Sequence, residues 1–260
     1  MKNNRFAVVT GASQGIGKEI AEEVAKRGFS LILCARDQSR LAAVSKEIMV
    51  QYPIEALTCA CDLTDSEGVK KLSEFSSPYL SQIDILINNA GFGDLGDFSD
   101  RSWDLYQKML KLNIVSLTEL THFFATLFKK RKMGFILNVA STAAFQPDPY
   151  FAVYGATKAY VLSLSEALRE ELRDSNVQVS VLCPGPTDTP FHERAGTQDS
   201  PIIRYSMASA KKVAHEGVEG LLNKKTLIVP GILNRLLILT IRISPRAMVA
   251  KLSAWLLKKR

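Results

Sequence analysis

The sequence predicts an α/β fold in which helices cover both faces of a parallel β-sheet. Three observations predict it. Short apolar runs typical of buried strands alternate with longer amphipathic stretches, the links between them are short, and a glycine-rich turn joins the first run to the first helix. Strands and helices that alternate in this way form βαβ units with right-handed crossovers.

The predicted elements follow in a regular order. Strands are expected at 6–10, 30–34, 56–61, 83–87 and 226–229, and helices at 18–27, 41–52, 65–80, 103–130 and 209–223. A further apolar run occupies residues 135–139. The strand-like runs are short and mostly apolar, as buried parallel strands are. The first helix places Ile20, Ala21, Val24 and Ala25 on one side, which is the pattern of a helix packed on a sheet.

The composition is that of one globular domain with a large core. The chain has 260 residues, of which 47% are hydrophobic and 23% charged. Its cysteines, Cys34, Cys59, Cys61 and Cys183, show no metal-ligand spacing, and three lie in or beside strand-like runs. We therefore expect buried thiols, no metal site and a reducing, cytoplasmic location. The first residues lead directly into a strand, so a secreted precursor is not expected.

The formal net charge of +7 is concentrated at the C-terminal end. Nine of the 33 basic residues lie between positions 220 and 260, whereas none of the 26 acidic residues does. The other 24 basic residues nearly balance the acidic ones, so the body of the chain is almost neutral. This distribution does not indicate nucleic-acid binding.

A glycine-rich turn lies between the first predicted strand and helix. Gly11, Gly15 and Gly17 have the spacing G-x3-G-x-G. Glycine permits a tight turn and close backbone approach, while the free N–H groups and the dipole of the helix favour an anion. The turn therefore predicts a phosphate-binding site of the dinucleotide type.

The end of the second strand bears on the choice of cofactor. Dinucleotide folds that select NAD place a carboxylate there to accept hydrogen bonds from the ribose. Here the strand ends in Ala35-Arg36-Asp37. Arg36 is positioned to contact the 2′-phosphate of NADP, whereas Asp37 lies one or two positions late and is equally consistent with a helix cap. NADP(H) is therefore favoured over NAD(H).

Tyr154 and Lys158 form a candidate catalytic pair. Residues four apart on a helix lie on the same face. A free tyrosine has a pKa of about 10, and an ammonium beside it favours the phenolate and lowers that pKa. Ser141 follows the apolar run 135–139 and is placed to hold a substrate oxygen against the tyrosine. A Tyr-x-x-x-Lys pair alone is weak evidence, so its meaning depends on the other motifs.

Together the motifs resemble those of the short-chain dehydrogenase/reductase family. The matching segments are Thr10 to Gly17, Asp62, Asn88-Asn89-Ala90-Gly91, Asn113, Ser141, Tyr154-x3-Lys158 and Pro184-Gly185-x3-Thr189. They occur in the order and at intervals typical of the family and span most of residues 5–190. One motif alone would mean little, whereas all of them together make coincidence implausible.

The resemblance implies a fold and catalytic roles. The fold would be a seven-stranded, doubly wound Rossmann sheet with NAD(P)(H) across its carboxyl edge. Tyr154 would be the general acid/base, Ser141 would orient the carbonyl or hydroxyl, and Lys158 would bind the nicotinamide ribose and lower the tyrosine pKa. Asn113, within the helix 103–130, would hold a water that relays protons. These roles suit ketone reduction, in which the developing alkoxide needs an acid and a positioned donor.

The resemblance also implies the cofactor-binding residues. Asp62 would contact the adenine, and residues 88–91 would shape the floor beneath the cofactor. The expected set is Gly11, Ser13, Gln14, Gly15, Ile16, Gly17, Arg36, Asp62, Leu63, Asn89, Ala90, Gly91, Tyr154, Lys158, Pro184, Gly185, Thr187 and Thr189.

The substrate side is expected to be apolar. Residues 142–146 follow Ser141 and should line it, and Phe92 and Phe191 either face the same cavity or pack in the core. Several aromatic and few charged side chains predict an apolar carbonyl or alcohol as substrate. Residues 190–206 contain Gly, Pro, Ser and charged residues and predict a mobile lid.

Residues 231–260 are expected to form a basic amphipathic helical extension beyond a catalytic domain of residues 1–230. The run 232–243 is almost wholly apolar, and Met248, Leu252, Trp255 and Leu256 have helical spacing. Two interpretations remain open. The extension is an apolar flap packed on a partner subunit or over the active site, or it is an anchor on an anionic membrane.

The sequence thus predicts an NADP(H)-dependent oxidoreductase that interconverts a carbonyl and an alcohol, with Tyr154 as general acid/base. The competing function is a non-catalytic NADP(H)-binding sensor or scaffold, docked by its tail to a membrane or a partner. It is disfavoured because a sensor does not need the complete acid set. The resemblance also implies a homodimer or homotetramer, with the long helices around Asn113 and Tyr154 as the dimer face. Helix 103–130 agrees with this, because it presents more apolar residues than one buried stripe requires.

Overall fold

A seven-stranded parallel β-sheet forms the centre of the molecule, as the sequence predicts. The computed structural model describes residues 5–197 and 207–257. The strands are β1 (Phe6–Thr10), β2 (Ser30–Ala35), β3 (Ala56–Ala60), β4 (Ile83–Asn88), β5 (Gly134–Val139), β6 (Val177–Leu182), β7 (Thr187–Asp188), β8 (Ala208–Ser209) and β9 (Leu227–Ile228). The large sheet has the order β3-β2-β1-β4-β5-β6-β9, and β7 pairs with β8 separately. The fold is therefore the doubly wound Rossmann type.

Ten helices occur in the described residues and flank the sheet. They are α1 (Gly15–Ala25), α2 (Gln38–Gln51), α3 (Ser66–Ser76), α4 (Trp103–Leu110), α5 (Leu117–Arg131), α6 (Ala152–Glu171), α7 (Phe191–Ala195), α8 (Ala210–Leu222), α9 (Ile232–Ile243) and α10 (Arg246–Leu257). Short 3-10 turns follow α3 and precede α6.

Alternation of side chains along the strands divides the core between the two faces of the sheet. In β1, Ala7 and Val9 pack into a cluster with α1, α2 and α8, while Phe6 and Val8 pack into a cluster with α3 and α5. All five residues of β1 are buried, as expected for a central parallel strand covered on both faces. Because the strands of the large sheet are parallel, the loops that follow them meet at one edge, the carboxyl edge.

The predicted helix 103–130 is not one regular helix. Residues Lys111–Ser116 form a π-helical segment between α4 and α5. A π-helical turn widens the helix and is frequent at functional sites. Asn113 lies within this segment, so the irregularity coincides with a predicted site residue.

Most predicted boundaries differ by one to three residues from those observed. The first helix begins at Gly15, inside the glycine turn, and α2 begins at Gln38 because Asp37 caps it. The side chain of Asp37 accepts a hydrogen bond from the backbone N–H of Arg40 at 3.0 Å. Of the two interpretations of Asp37, the structure therefore supports the helix cap.

The C-terminal extension forms two helices, as predicted, and α9 is attached to the body by few side chains. Ile238 is buried in a cluster with Val181, Cys183 and Val229. The Asn234 amide donates to the carbonyl oxygen of Pro230 at 2.8 Å. Among the described residues, no helix combines the length and the apolar character needed to cross a bilayer.

Candidate active site

A cavity of about 850 Å³ lies at the carboxyl edge of the sheet. The sheet order changes direction at β1 and β4, and ligands of doubly wound folds bind in the crevice outside this switch point. Its walls come from the glycine turn, the loops after β2 to β6, α6, α7 and the two tail helices.

The glycine turn is shaped to receive a phosphate. Gly11 and Gly15 have positive φ angles of 66° and 56°, which favour glycine. A Cβ atom on Gly17 would lie 2.2 Å from the carbonyl oxygen of Gly11, so no larger residue fits there. Gln14 occupies the N-cap position of α1 without a side-chain cap, which leaves N–H groups of the first turn for a ligand. These features fit the pyrophosphate of a nicotinamide dinucleotide.

Three arginines surround the opposite end of the cavity from the catalytic pair. Arg36 and Asp62 line it together, with the guanidinium Nη1 3.9 Å from the Asp62 carboxylate. Arg40 and Arg194 also line the cavity. The pKa of Arg194 is lowered mainly by burial and further by the positive charges of Arg36 and Arg40. This end of the cavity thus has three arginines but only two lining carboxylates, Asp37 and Asp62, and the excess positive charge favours an anionic ligand. Neither Arg40 nor Arg194 was part of the predicted set.

Tyr154 lies in an aromatic environment on α6. Its ring stacks on Phe151 with the ring centroids 4.3 Å apart and contacts Phe191 at 5.5 Å. Burial raises the pKa of Tyr154 above its ordinary value of 10, and hydrogen bonding with Ser141 opposes this increase. The expected lowering of this pKa by Lys158 is therefore not the net result in the chain itself, because removal of the phenolate from water has the larger effect.

Lys158 is buried one helical turn after Tyr154. Its Nζ donates to the carbonyl oxygen of Val139 at 2.8 Å and lies 5.6 Å from the centroid of the Tyr154 ring. Burial lowers the pKa of Lys158 to about 8. A buried ammonium with one backbone acceptor retains N–H donors for a ligand, and its charge offsets part of the cost of a nearby phenolate.

Asn113 lies behind the cavity wall and close to Lys158, since a Cβ atom on Gly91 would lie 3.1 Å from the Asn113 Oδ1 and 3.4 Å from the Lys158 Nζ. Its amide donates to the backbone oxygen of Phe92 at 2.9 Å and to the hydroxyl of Thr157 at 3.1 Å, and its oxygen accepts from the Phe92 N–H at 3.2 Å. The side chain thus joins the loop after β4 to helix α6. The predicted role of Asn113 in holding a water that relays protons stays a prediction.

The substrate end is apolar, as expected, although its lining differs in part. Phe92 and Phe191 both line the cavity. Of residues 142–146, Thr142, Ala143 and Gln146 line it, whereas Ala144 and Phe145 pack against the cluster that contains Ile238. The 3-10 turn Thr142–Phe145 directs the latter two away from the cavity. Within the predicted lid, residues 191–195 form α7 at the cavity, and residues 198–206 lie outside the described residues.

The tail helices complete this end of the cavity. Leu233, Asn234 and Leu237 of α9, together with Ser253, Leu256 and Leu257 of α10, belong to its lining. A Cβ atom on Gly185 would lie 2.6 Å from the Asn234 side chain, so α9 packs closely against the loop after β6. Of the two interpretations of the tail, the structure therefore supports a flap over the site for one face of each helix.

Asp148 is a buried carboxyl group in the same region. It lines the cavity, and its Oδ1 accepts a hydrogen bond from the Gln146 amide at 2.9 Å. Burial raises the pKa of Asp148 from 3.8 to about 6, and its charge contributes to the increase in the pKa of Tyr154. Asp148 is not among the residues predicted from the sequence, because nothing in its local pattern separates it from a turn residue.

The structure brings nearly all the predicted site residues to this one cavity. Asn113 is the exception. Those that line it are Gly11, Ser13, Gln14, Gly15, Ile16, Gly17, Arg36, Asp62, Leu63, Asn89, Ala90, Gly91, Ser141, Tyr154, Lys158, Pro184, Gly185, Thr187 and Thr189. Residues 5–197 and 207–257 contain no cluster of His, Cys, Asp or Glu suited to a metal ion. All four cysteines are free and buried, as predicted.

Comparison with known proteins identifies the class to which this fold and cavity belong. The sequence model of the short chain dehydrogenase family matches residues 5–200. An uncharacterized oxidoreductase of Staphylococcus saprophyticus is 35% identical over 188 residues, which cover 72% of this chain and 80% of that protein. The very-long-chain 3-oxoacyl-CoA reductase of Macaca fascicularis is 34% identical over 216 residues, covering 80% of this chain and 67% of that protein.

A solved structure agrees with this assignment. The short-chain dehydrogenase from Sphingobium yanoikuyae in complex with NADPH superimposes with a TM-score of 0.80 at 28% identity, over 94% of this chain and 97% of that one. The chain belongs to the short-chain dehydrogenase/reductase family of oxidoreductases, which bind a nicotinamide nucleotide.

Proposed function

We propose that the protein is an NADP(H)-dependent oxidoreductase that interconverts an apolar carbonyl compound and the corresponding alcohol, with Tyr154 as general acid/base. One observation carries the proposal. Ser141, Tyr154 and Lys158 line the apolar part of the cavity whose other part is formed by the glycine turn and the arginines. An acid, an oxygen-orienting hydroxyl and a buried cation thus share one ligand-sized space with a dinucleotide cradle.

The chain supplies proton transfer and placement. A bound nicotinamide dinucleotide supplies the hydride. In reduction, the Tyr154 hydroxyl donates its proton to the substrate oxygen, and in oxidation the phenolate accepts it. The Ser141 hydroxyl donates a hydrogen bond to the same oxygen and fixes its position. The Lys158 ammonium offsets the charge of the phenolate, which burial would otherwise disfavour.

The preference for NADP(H) is supported by the charges at the far end of the cavity. The side chain of Asp37 caps α2 and forms an ion pair with Arg40 at 3.2 Å. It is therefore not free to accept hydrogen bonds from the ribose, as the carboxylate does in folds that select NAD. Arg36 and Arg194 line the cavity beside this pair. A 2′-phosphate there would meet cations, and the related enzyme from Sphingobium yanoikuyae is described with NADPH.

The apolar substrate class is supported by the lining of the other end. Phe92, Phe151 and Phe191 face leucine side chains of the tail across the cavity. Apolar walls with a few fixed polar groups are typical of sites for small apolar ligands. The relative from Macaca fascicularis is named for very-long-chain 3-oxoacyl-CoA substrates, whose acyl chains have this character.

Replacement of the tyrosine hydroxyl tests the proposal. Tyr154→Phe keeps the ring against Phe151 and removes the proton, so we expect carbonyl reduction with NADPH to fall by roughly 10²–10⁴-fold. Tyr160→Phe is the matched control on the same helix, because its hydroxyl bonds to Thr118 at 3.1 Å outside the cavity. Wild-type turnover by Tyr154→Phe would refute the role. Tight NADPH binding without turnover of any ketone, aldehyde or alcohol in a broad panel would instead favour the non-catalytic sensor.

A further inference from the structure

The outward face of the tail helices is an unusually apolar surface. Nine of the 17 large apolar side chains that are exposed in the described part of the chain lie between residues 232 and 255. Two of these, Leu233 and Leu237, face the cavity. The other seven, Ile232, Leu236, Leu239, Ile243, Met248, Leu252 and Trp255, form what we term the tail face.

The tail face follows from the way the helices are attached. On α9, Ile238 points to the body. Successive residues of a helix are rotated by about 100°, so Leu236, Leu239 and Ile243 are rotated by about 100° to 160° from Ile238 and point away from the body. Leu236 and Ile243 are 54% and 80% exposed. On α10, Ser253 is buried and Trp255 is 64% exposed. Contiguous apolar surface of this kind on a protein marks an interaction site.

Cations accompany the tail face without nearby carboxylates. Arg242, Arg246 and Lys251 are exposed, and within residues 5–197 and 207–257 none has a carboxylate within 4.0 Å. No Asp or Glu occurs after Glu219 in the sequence. An apolar helical face with unpaired cations complements an anionic lipid surface, where the aromatic ring of Trp255 also suits the interfacial region.

A second copy of the chain is a poorer occupant. A two-fold contact would place the same patch of each copy against the other. Arg242, Arg246 and Lys251 of both copies would then lie in one contact, with no acidic residue on either tail. Like charges at a contact oppose association.

We propose that α9 and α10 dock the protein on an anionic lipid bilayer through the tail face. Helices of 12 residues each lie in the interface and do not span it. Other faces of the same helices line the apolar end of the cavity, so docking brings that end next to the lipid. Vesicle binding does not require the proposed reaction, so docking can be tested independently of it. Only the delivery of a lipid-soluble substrate from the bilayer rests on the proposed function.

Flotation with vesicles tests the docking. The full chain is expected to float with equimolar phosphatidylcholine and phosphatidylglycerol, and to float less in high salt or with phosphatidylcholine alone. Leu236→Ser/Ile243→Ser should abolish flotation and leave turnover of a water-soluble carbonyl unchanged. Met49→Ser/Val50→Ser is the matched control, since these α2 residues are 44% and 79% exposed, and it should float as wild type does. Replacing Arg242, Arg246 and Lys251 by Gln should weaken binding by roughly fivefold for each charge.

Tryptophan fluorescence gives a second measurement that needs no polar substitution in the tail face. The chain has two tryptophans, Trp103 and Trp255. In Trp103→Phe the remaining Trp255 should shift to shorter wavelength on addition of anionic vesicles, whereas in Trp255→Phe the remaining Trp103 should not. Absence of flotation and of the shift would overturn the proposal. The proposal would also be overturned if Leu236→Ser/Ile243→Ser floated as well as wild type. A wild-type dimer that binds no vesicles and that the same double substitution converts to a monomer would overturn it as well.

Discussion

The two ends of the cavity are built in different ways. The dinucleotide end consists of backbone turns and charged side chains at the edge of a fully buried sheet, where Gly17 lies against Gly11 with no room for a methyl group. The substrate end consists of loop residues and two helices, of which α9 buries only Ile238. A substitution at the first end therefore meets rigid backbone, whereas one at the second meets side chains that have room to move. We expect the effects of substitution to decrease from the first end to the second.

The largest effect is expected at Gly17. In Gly17→Ala the new Cβ would lie 2.2 Å from the Gly11 oxygen and 2.4 Å from the Asn89 amide, so the turn must shift. Overpacking of this kind costs roughly 1–3 kcal/mol, and if the whole cost falls on cofactor binding we expect about a five- to hundredfold loss of NADPH affinity in titrations.

A second glycine provides the control for Gly17→Ala. Gly28 has a φ of +82°, and nothing lies within 4 Å of the position that an added methyl group would take, so Gly28→Ala introduces backbone strain without a clash. It should reduce the free energy of unfolding by about 1–2 kcal/mol and leave NADPH affinity unchanged. Similar losses of affinity in both variants would show that the turn does not select for close packing.

Cofactor choice should depend on Arg36. Arg36→Ala removes one cation from the arginine group, and a charge-assisted contact contributes roughly 1.5–3 kcal/mol. NADPH affinity should fall by about ten- to a hundredfold while NADH affinity changes little. Arg173→Ala is a matched control, because both side chains are 66% exposed and Arg173 lies outside the cavity. Equal losses for the two cofactors would mean that Arg36 does not contact the 2′-phosphate.

Asp148 lies at the substrate end and acts there through its charge. Its pKa is raised from 3.8 to about 6 in the folded protein, so the folded state holds this proton more tightly than the unfolded chain. Stability should therefore fall as the pH rises from about 4 to 6 and remain lower above that window. Asp148→Asn removes the cost of holding a buried carboxylate at pH 7. We expect it to raise the free energy of unfolding at pH 7 by on the order of 1–3 kcal/mol, measured by denaturant titration.

Asp148→Asn should also change the pH dependence of catalysis. The Asp148 carboxylate contributes to the raised pKa of Tyr154, so its removal should lower that pKa. Alcohol oxidation needs the phenolate, and its rate should therefore reach half its maximum at a lower pH in Asp148→Asn. An unchanged pH profile, together with unchanged stability between pH 4 and 6, would show that Asp148 is not a buried carboxylate at this site.

The difference between the two ends also explains what the sequence could predict. The glycine turn, Arg36 and the Tyr154–Lys158 pair depend on a few neighbouring residues, so their positions follow from a strand, a turn and a helix in order. Asp148 reaches the cavity from a loop, and Arg194 reaches it from the short helix α7, which lies within the predicted lid, so local spacing predicts no direction for either side chain. The position of Asn113 depends on a π-helical segment, which the apolar pattern of residues 103–130 does not distinguish from an α-helix.

The tail shows the same limit at longer range. Its two helices follow from apolar spacing, but their place over the cavity depends on Asn234 packing against Gly185, about fifty residues earlier in the chain. Sequence periodicity predicts that a helix has an apolar face, and only the fold decides which surface covers it. For this reason the sequence leaves both interpretations of the tail open, whereas the fold places one face of each helix at the cavity.

The smallest effect is expected from the tail lining itself, where Leu237 and Leu236 form a matched pair. They are adjacent on α9 and 52% and 54% exposed, but only Leu237 lines the cavity. Because half of the Leu237 side chain is already in water, its truncation to Ala removes about 1 kcal/mol or less of apolar contact with a bound substrate. Leu237→Ala should therefore raise KM for a bulky apolar ketone by a few-fold and leave KM for a small one unchanged, whereas Leu236→Ala should change neither. Steady-state kinetics with one bulky and one small ketone measures this, and equal KM changes in the two variants would mean that α9 does not form the wall of the occupied site.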